Sequence, residues 1–108
     1  MNKIKETKID CKDLKVFDIN SKNKLFSKEN CLLVKSTVLL DATTNDGPQF
    51  LEGRKSWCVY IDYVDIKFVL SRSNVLLSMN DNDNIKYSGE ALIMSNKLEG
   101  TGELHETK

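Results

Sequence analysis

Apolar and polar residues alternate along much of this chain, and a period of two is typical of β-strands with one packed face. The clearest alternation covers residues 57–64, and a second covers residues 31–41. Weaker alternation predicts further strands at residues 14–19, 24–27, 74–80, 85–94 and 98–104. The inward side of the two best strands predicts five core residues: Trp57, Val59, Ile61, Val34 and Val38.

Short polar segments predict turns between these strands. They lie at residues 20–23, 28–30, 81–84 and 95–97, and the third is rich in Asn and Asp, which tolerate positive φ. Residues 65–73 fit either a strand or a helix, and the apolar spacing i, i+3, i+4 favours a short helix. Glycines in the last strand either weaken it or allow close approach by another backbone.

The predicted fold is therefore all-β or mainly β, a small antiparallel β-sandwich or barrel of six to eight strands. Its 108 residues suit a single domain. We expect an N-terminal arm or edge strand at residues 1–14, one β domain at 15–105 and a tail at 106–108.

A long polar connection is predicted at residues 41–56. Its turn signal is Asp46-Gly47-Pro48, because proline fixes φ and biases the preceding residue away from helix. Phe50 and Leu51 are apolar within this polar segment. They need cover either from the domain's own core or from a neighbouring surface.

Charge is balanced overall but unevenly distributed. Residues 1–35 hold nine lysines and five carboxylates, a net +4, whereas residues 36–108 carry a net −4. Such asymmetry suits contact with an acidic partner, contact between two copies, or a solvated surface with no partner. No apolar run reaches the roughly 18 residues of a membrane-spanning helix, and the N-terminus lacks the apolar core of a signal peptide. We expect folding in a cytoplasm and no membrane partner.

The sequence offers little chemistry for catalysis. The single histidine, His105, lies near the C-terminus, where a catalytic base is poorly held. Asp62 and Asp65 fall on opposite faces of a strand. Residues 81–84 lack the glycine and the distal glutamate of a calcium loop. Three widely spaced cysteines favour buried free thiols over a metal site or a disulfide framework. We expect no enzyme activity, no cofactor, no metal and no small-molecule substrate.

Four segments carry short motifs in a fixed order, and they are residues 40–47, 50–57, 87–95 and 99–104. An Asp-Ala-Thr-Thr strand end comes first, followed by Gly-Arg-Lys-Ser-Trp, Tyr-Ser-Gly-Glu-Ala and Gly-Thr-Gly-Glu-Leu. In this order they resemble the major tail tube proteins of long-tailed bacteriophages. In that family an Asp-Thr-Thr-type strand end leads into a long loop, a Gly-x-Lys-Ser-Trp segment opens the next strand, and Tyr-x-Gly-Glu-Ala and Gly-Thr-Gly-x-Leu strands close the domain. The chain is shorter than usual members, and residues 65–73 leave little room for the helix that they place there.

The resemblance implies a virion structural protein that forms hexameric rings, which stack into a tube with other tail proteins. DNA passes through such a tube without specific binding, so an acidic or neutral lumen is expected, with Asp62, Asp65 and Glu90 as the candidate lumen-facing acids. The candidate subunit interface is Asp46, Gly47, Pro48, Phe50 and Leu51. The protein would lie in the host cytoplasm during assembly and in the virion tail afterwards.

Other functions also fit the sequence. A tail terminator-like relative or a ring protein of another injection machine shares the same features. A small cytoplasmic protein-binding module, such as a phage-encoded inhibitor of a host protein, would use residues 41–56 or exposed aromatics. Stacking aromatics on a barrel would suit a single-strand nucleic-acid binder, although the acidic residues beside Tyr60 and Tyr63 disfavour it.

Overall fold

The computed structural model describes residues 3–44, 47–61, 74–94 and 96–108; for residues 42–44 and 48–50 it describes the backbone alone. Seven strands lie in this part of the chain: β1 (Lys3–Asp18), β2 (Lys24–Thr44), β3 (Gly47–Tyr60), β4 (Asn74–Asp81), β5 (Lys86–Ile93), β6 (Lys97–Gly100) and β7 (His105–Thr107). No helix is present within the described ranges.

Six strands form a closed antiparallel barrel. They follow the order β4-β1-β2-β3-β6-β5, and the pairing of β4 with β5 closes the ring. One edge of β5 pairs with β4 from Lys86 to Leu92. Two strands pair with its other edge, one after the other: β6 with residues 91–93 and β7 with residues 86–88. The predicted fold, an antiparallel β-sandwich or barrel of six to eight strands, is confirmed, and of the two architectures it is the barrel.

Alternate residues of the strands fill the barrel interior. In β4 and β5 every second side chain is buried while its neighbours are exposed or half-buried. The largest fully buried side chains are Leu14, Leu33, Met79, Ile93, Leu98, Val16, Val59 and Val75. Burying each such side chain contributes about 1.5–3 kcal/mol, so this interior is the main source of stability.

Of the five predicted core residues, Trp57, Val59 and Ile61 are buried in this cluster. Val34 is also buried, but it lies outside the cluster, because it is one position out of phase with the inward-facing Leu33. Val38 is only half-buried. Its prediction as core is wrong, because β2 at this point has passed beyond the barrel and pairs with Ile4 near the start of β1.

The predicted polar connection at residues 41–56 is wrong. β2 continues to Thr44, β3 begins at Gly47, and the two pair from Thr44↔Gly47 back to Leu32↔Tyr60. The predicted turn at residues 28–30 is also wrong, since Asn30 and Lys28 pair with β1 inside a continuous strand. Local polarity indicated loops, but the pairing of these strands depends on backbone hydrogen bonds rather than on buried side chains.

The N-terminal segment is part of the sheet rather than a separate arm. β1 runs without interruption from Lys3 to Asp18, so the predicted boundary at residue 14 does not divide two elements. In the described structure, residues 4–10 pair with β2 alone, whereas residues 11–12 and 15–17 pair with both β2 and β4. The first half of β1 is thus an edge strand, and the second half is interior to the sheet. The predicted helix at residues 65–73 lies outside the described residues.

The predicted turn at residues 81–84 joins β4 to β5, and Asn84 has a φ of 63°. Buried Asp81 accepts hydrogen bonds from the N–H groups of Asp83 (2.8 Å) and Ile85 (3.0 Å) and from the Tyr87 hydroxyl (3.2 Å). The Ile85 N–H contributes most to lowering the pKa of Asp81 below its ordinary value. The turn is thus fixed by a carboxylate that accepts three hydrogen bonds.

Candidate assembly interface

A sheet extension projects from the barrel. It consists of residues 3–6 of β1, 36–44 of β2 and 47–56 of β3, which pair with one another. These residues lie beyond the segments of β1 and β3 that pair with β4 and β6. The molecule measures 54 × 31 × 24 Å, and its radius of gyration is 16.0 Å, against about 13 Å for a compact domain of similar size. The elongation agrees with strands that continue past their own core.

One face of this extension is apolar and exposed. Ile4 lies opposite Val38, and Leu40 lies opposite Leu51, with Val38 and Leu40 two residues apart on β2. Residues that are directly opposed or two apart share a face of a sheet. Ile4 is 67% exposed, Leu51 56% and Leu40 40%. We call these four residues the apolar face.

A bulge shapes this face. Thr37 pairs with Lys55, but Leu39 pairs with Glu52, so β3 has one extra residue between the two pairs. Gly53 lies in this bulge, and a Cβ placed there would lie 3.1 Å from Leu40 Cγ. Glycine here leaves space for Leu40 to lie flat against β3, and the bulge increases the local twist of the extension.

The opposite face of the extension carries charge. It borders an open cleft of about 550 Å³ whose charged lining is Lys5, Lys35, Lys55, Glu52, Glu103 and Glu106. Lys35 Nζ lies 2.8 Å from Glu106 Oε1 in β7, and Lys55 Nζ lies 3.5 Å from Glu52 Oε2. Because these lysines and glutamates balance, the cleft has no strong preference for an anion or a cation.

Trp57 forms the floor between this cleft and the barrel interior. The indole is 6% exposed, and its Nε1–H donates a 2.8 Å hydrogen bond to the carbonyl oxygen of Gly102. It packs on two glycines: a Cβ would lie 2.2 Å from the ring at Gly100 and 2.8 Å from it at Gly89. Three of the four segments that resemble the tail tube family therefore meet at one side chain.

The structure describes only part of the predicted interface. Gly47 is half-buried with a φ of 108°, which favours glycine, and Leu51 is exposed. Pro48 and Phe50 lie in β3, where only the backbone is described, and Asp46 lies outside the described residues. Leu51 thus belongs to the apolar face, although it lies in a strand rather than in the predicted loop.

Sequence reasoning missed Ile4 and Leu40 as surface residues. Leu40 lies two residues after Val38 and so shares the side of the strand that the alternation predicts as core, and Ile4 is an isolated apolar residue among lysines. One signal in the sequence could have indicated the extension. The alternation of β2 continues through Val38 and Leu40, so the predicted strand is longer than a strand of a small barrel needs to be.

Of the three predicted lumen acids, Glu90 is exposed on β5 opposite Leu76, with its carbonyl oxygen accepting a hydrogen bond from the Thr101 N–H. Asp62 and Asp65 lie outside the described residues. His105 is exposed in β7. Within the described ranges, no three His, Cys, Asp or Glu side chains lie together in a group that would hold a metal ion.

Comparisons with known proteins found no relative: no family model, curated protein or solved structure matches the chain. Among the described residues there is no helix with the length and apolar character needed to cross a membrane. Any functional conclusion therefore depends on the residues and geometry of this chain.

Proposed function

We propose that this protein is a structural subunit that assembles with copies of itself into rings, and that the rings stack into a tube of the phage tail type. The observation that carries the proposal is the extension: a closed barrel continues into a projecting sheet with an exposed apolar face. In this role the protein performs no catalysis.

The extension is suited to contact between copies. A closed barrel has no free strand edges, whereas residues 4–10 of β1 and 51–56 of β3 pair on one side only in the described structure. Long edges beside apolar side chains favour association with another chain. In a ring, the β1 edge of one subunit faces the β3 edge of the next, which is a head-to-tail contact that closes by rotation.

The resemblance supplies the more specific part of the proposal. Residues 50–57, 87–95 and 99–104, which carry it, converge on Trp57 at the base of the extension. The three segments are distant in sequence but meet at one buried residue. This convergence supports a fold shared with the tail tube family more strongly than three unrelated short matches would. The hexameric ring and the passage of DNA through the tube are expectations from this resemblance.

Leu51→Glu tests the proposal at the apolar face. Complete burial of leucine contributes about 1.5–3 kcal/mol, so the 56% of Leu51 that is exposed offers about 1–1.5 kcal/mol per contact. Because glutamate adds the cost of burying a charge, we expect the concentration needed for assembly to rise by at least about tenfold.

The matched control is Met94→Glu, which places the same charge on an exposed apolar residue beyond the end of β5, away from the extension. Negative-stain electron microscopy and light scattering over a concentration series give the readout. We expect rings or tubes from wild type and from Met94→Glu, and their loss from Leu51→Glu. Equal assembly of the two variants would show that the apolar face is not the contact.

A wild-type protein that stays monomeric at high concentration, even with preformed tube ends as a template, would contradict self-assembly. Capture of one stoichiometric host protein by wild type but not by Leu51→Glu would then favour the alternative, a small protein-binding module that uses the same face.

A further inference from the structure

Two cysteines face each other across the barrel wall. Cys11 of β1 and Cys31 of β2 are direct partners in the antiparallel register, so their side chains share a face. This face is the interior one, because Cys11 is buried in the core cluster and half-buried Cys31 packs against it. Both are free thiols, and the Cys31 Sγ–H donates a 3.7 Å hydrogen bond to Met79 Sδ.

The register meets the backbone requirement of a disulfide. Opposed residues of an antiparallel pair have Cα atoms about 4.5 or 5.5 Å apart, depending on their hydrogen-bond class, and both values fall within the roughly 4.4–6.8 Å that disulfides span. Cys58 has no such partner, since its opposite residue on β2 is Val34 and on β6 is Glu99. Rotation about the two Cα–Cβ bonds is the movement that brings the sulfur atoms of Cys11 and Cys31 together, because this torsion sets the position of each Sγ.

Access and protonation decide how this pair reacts. Cys31 borders a surface cavity of about 360 Å³ beside Asp10 and Asn30, which is wide enough for a small oxidant. Burial raises the pKa of Cys31 to about 12. Burial and the Asp81 carboxylate raise the pKa of Cys11 to about 11. Both thiols are therefore protonated at neutral pH, and their oxidation is slow.

We propose that Cys11 and Cys31 are an oxidisable pair that forms a cross-strand disulfide when the protein meets a small peroxide. The small thiolate fraction of Cys31 attacks one peroxide oxygen and the O–O bond breaks. The hydroxide that leaves takes up the proton released by the thiol and becomes water, and Cys31 is left as a sulfenic acid. Cys11 Sγ then attacks the Cys31 sulfur, the S–S bond forms, and the sulfenic hydroxyl leaves as a second water. Two thiols and one hydrogen peroxide thus give one disulfide and two waters.

The disulfide would fix the hairpin of β1 and β2 from inside the barrel. It closes a loop of the chain from Cys11 to Cys31, which restricts the unfolded chain more than the folded one. The disulfide therefore stabilises the fold wherever the surroundings are oxidising. This inference does not depend on assembly, because it concerns the barrel interior of a single copy.

The test is to incubate the full-length protein with hydrogen peroxide, denature it, alkylate free thiols with N-ethylmaleimide, and map peptides by mass spectrometry. We expect loss of two hydrogen atoms from the cysteines, a Cys11–Cys31 link, alkylation of Cys58 alone, and a raised Tm. Exposed Met94 is an internal gauge, since its sulfoxide shows that the oxidant acted.

Three alkylated cysteines in a sample whose Met94 is oxidised would overturn the proposal, as would a link that involves Cys58. The Cys58→Ser variant should form the same link and then retain no alkylated cysteine. The Cys31→Ser variant should remain unlinked. A linked protein whose Tm is unchanged would overturn the stabilising role.

Discussion

The contact between Trp57 and Gly100 gives a sharp prediction for Gly100→Ala. The new Cβ would lie 2.2 Å from Cε2 of the indole and 2.5 Å from Cδ2 and Nε1, whereas carbon atoms pack best at about 3.5–4.0 Å. The ring must therefore move by more than 1 Å, roughly the difference between these distances. Such a movement also breaks the 2.8 Å hydrogen bond from Trp57 to Gly102.

The expected cost follows from these two effects. Overpacking a core costs about 1–3 kcal/mol, and a buried donor left without a partner costs about 1–3 kcal/mol. The reduced freedom of the unfolded chain returns about 0.4–1 kcal/mol on replacement of glycine. The free energy of unfolding should therefore fall by about 1–5.5 kcal/mol, against the roughly 5–15 kcal/mol of a typical domain.

Two other glycines provide matched controls. At Gly102 nothing lies within 4 Å of an added Cβ, so Gly102→Ala should change stability by less than about 1 kcal/mol. Gly89→Ala should fall between the two, since its Cβ would lie 2.8 Å from Trp57 Cζ2. Urea denaturation followed by circular dichroism and by fluorescence of the single tryptophan measures all three.

Equal stability of Gly100→Ala and Gly102→Ala would refute the packing of Trp57 on β6. A double-mutant cycle sharpens the test. In a Trp57→Leu background the added methyl at residue 100 should lose most of its cost, because the ring that it displaces is absent.

Two further predictions concern polar groups. Asp81→Asn should lower the denaturant midpoint of unfolding at neutral pH and flatten the acid side of the plot of stability against pH. The reason is that the folded pKa of Asp81 lies below its ordinary 3.8, so the carboxylate stabilises the fold above that pH and loses its contribution as pH falls through the folded pKa. Denaturant titrations between neutral pH and about pH 2 measure this, and parallel acid curves for wild type and variant would contradict it. Lys35→Ala should lower the free energy of unfolding by no more than about 1 kcal/mol, because the side chains of Lys35 and Glu106 are 40% and 46% exposed. The difference from wild type should vanish in about 1 M salt, which screens the ion pair. A larger loss that salt does not change would show that the lysine acts through packing of its aliphatic stem rather than through the ion pair with Glu106.

The fold class could be predicted because strands with one buried face need an apolar residue at every second position, and this alternation is visible in the sequence. Val75, Leu77 and Met79 of β4 are all inward-facing and apolar, and the residues between them are half-buried. The same physics identified Trp57, Val59 and Ile61. Where strands close a barrel around one core, the apolar pattern and the structure carry the same information.

The extension could not be predicted in this way, because backbone pairing holds its strands and no core lies under both faces. Thr43 and Thr44 pair with Pro48 and Gly47 although they stand beside a strong turn signal. The packing of Trp57 on Gly100 joins residues far apart in sequence, which no local pattern reports. The glycines of the last strand did indicate close approach, but the approaching group is a side chain rather than the expected backbone.

The continuity of β1, β2 and β3 has a mechanical consequence. Each strand belongs to the barrel wall at one end and to the extension at the other, so the extension has no linker of its own. The angle between the extension and the barrel is therefore set by the part of the same strands that packs in the core, at Leu33 and Val59. The bulge opposite residues 37–39 bends β3 locally, so it also sets the direction in which the extension leaves the barrel. A load on the extension reaches the barrel through these three continuous strands.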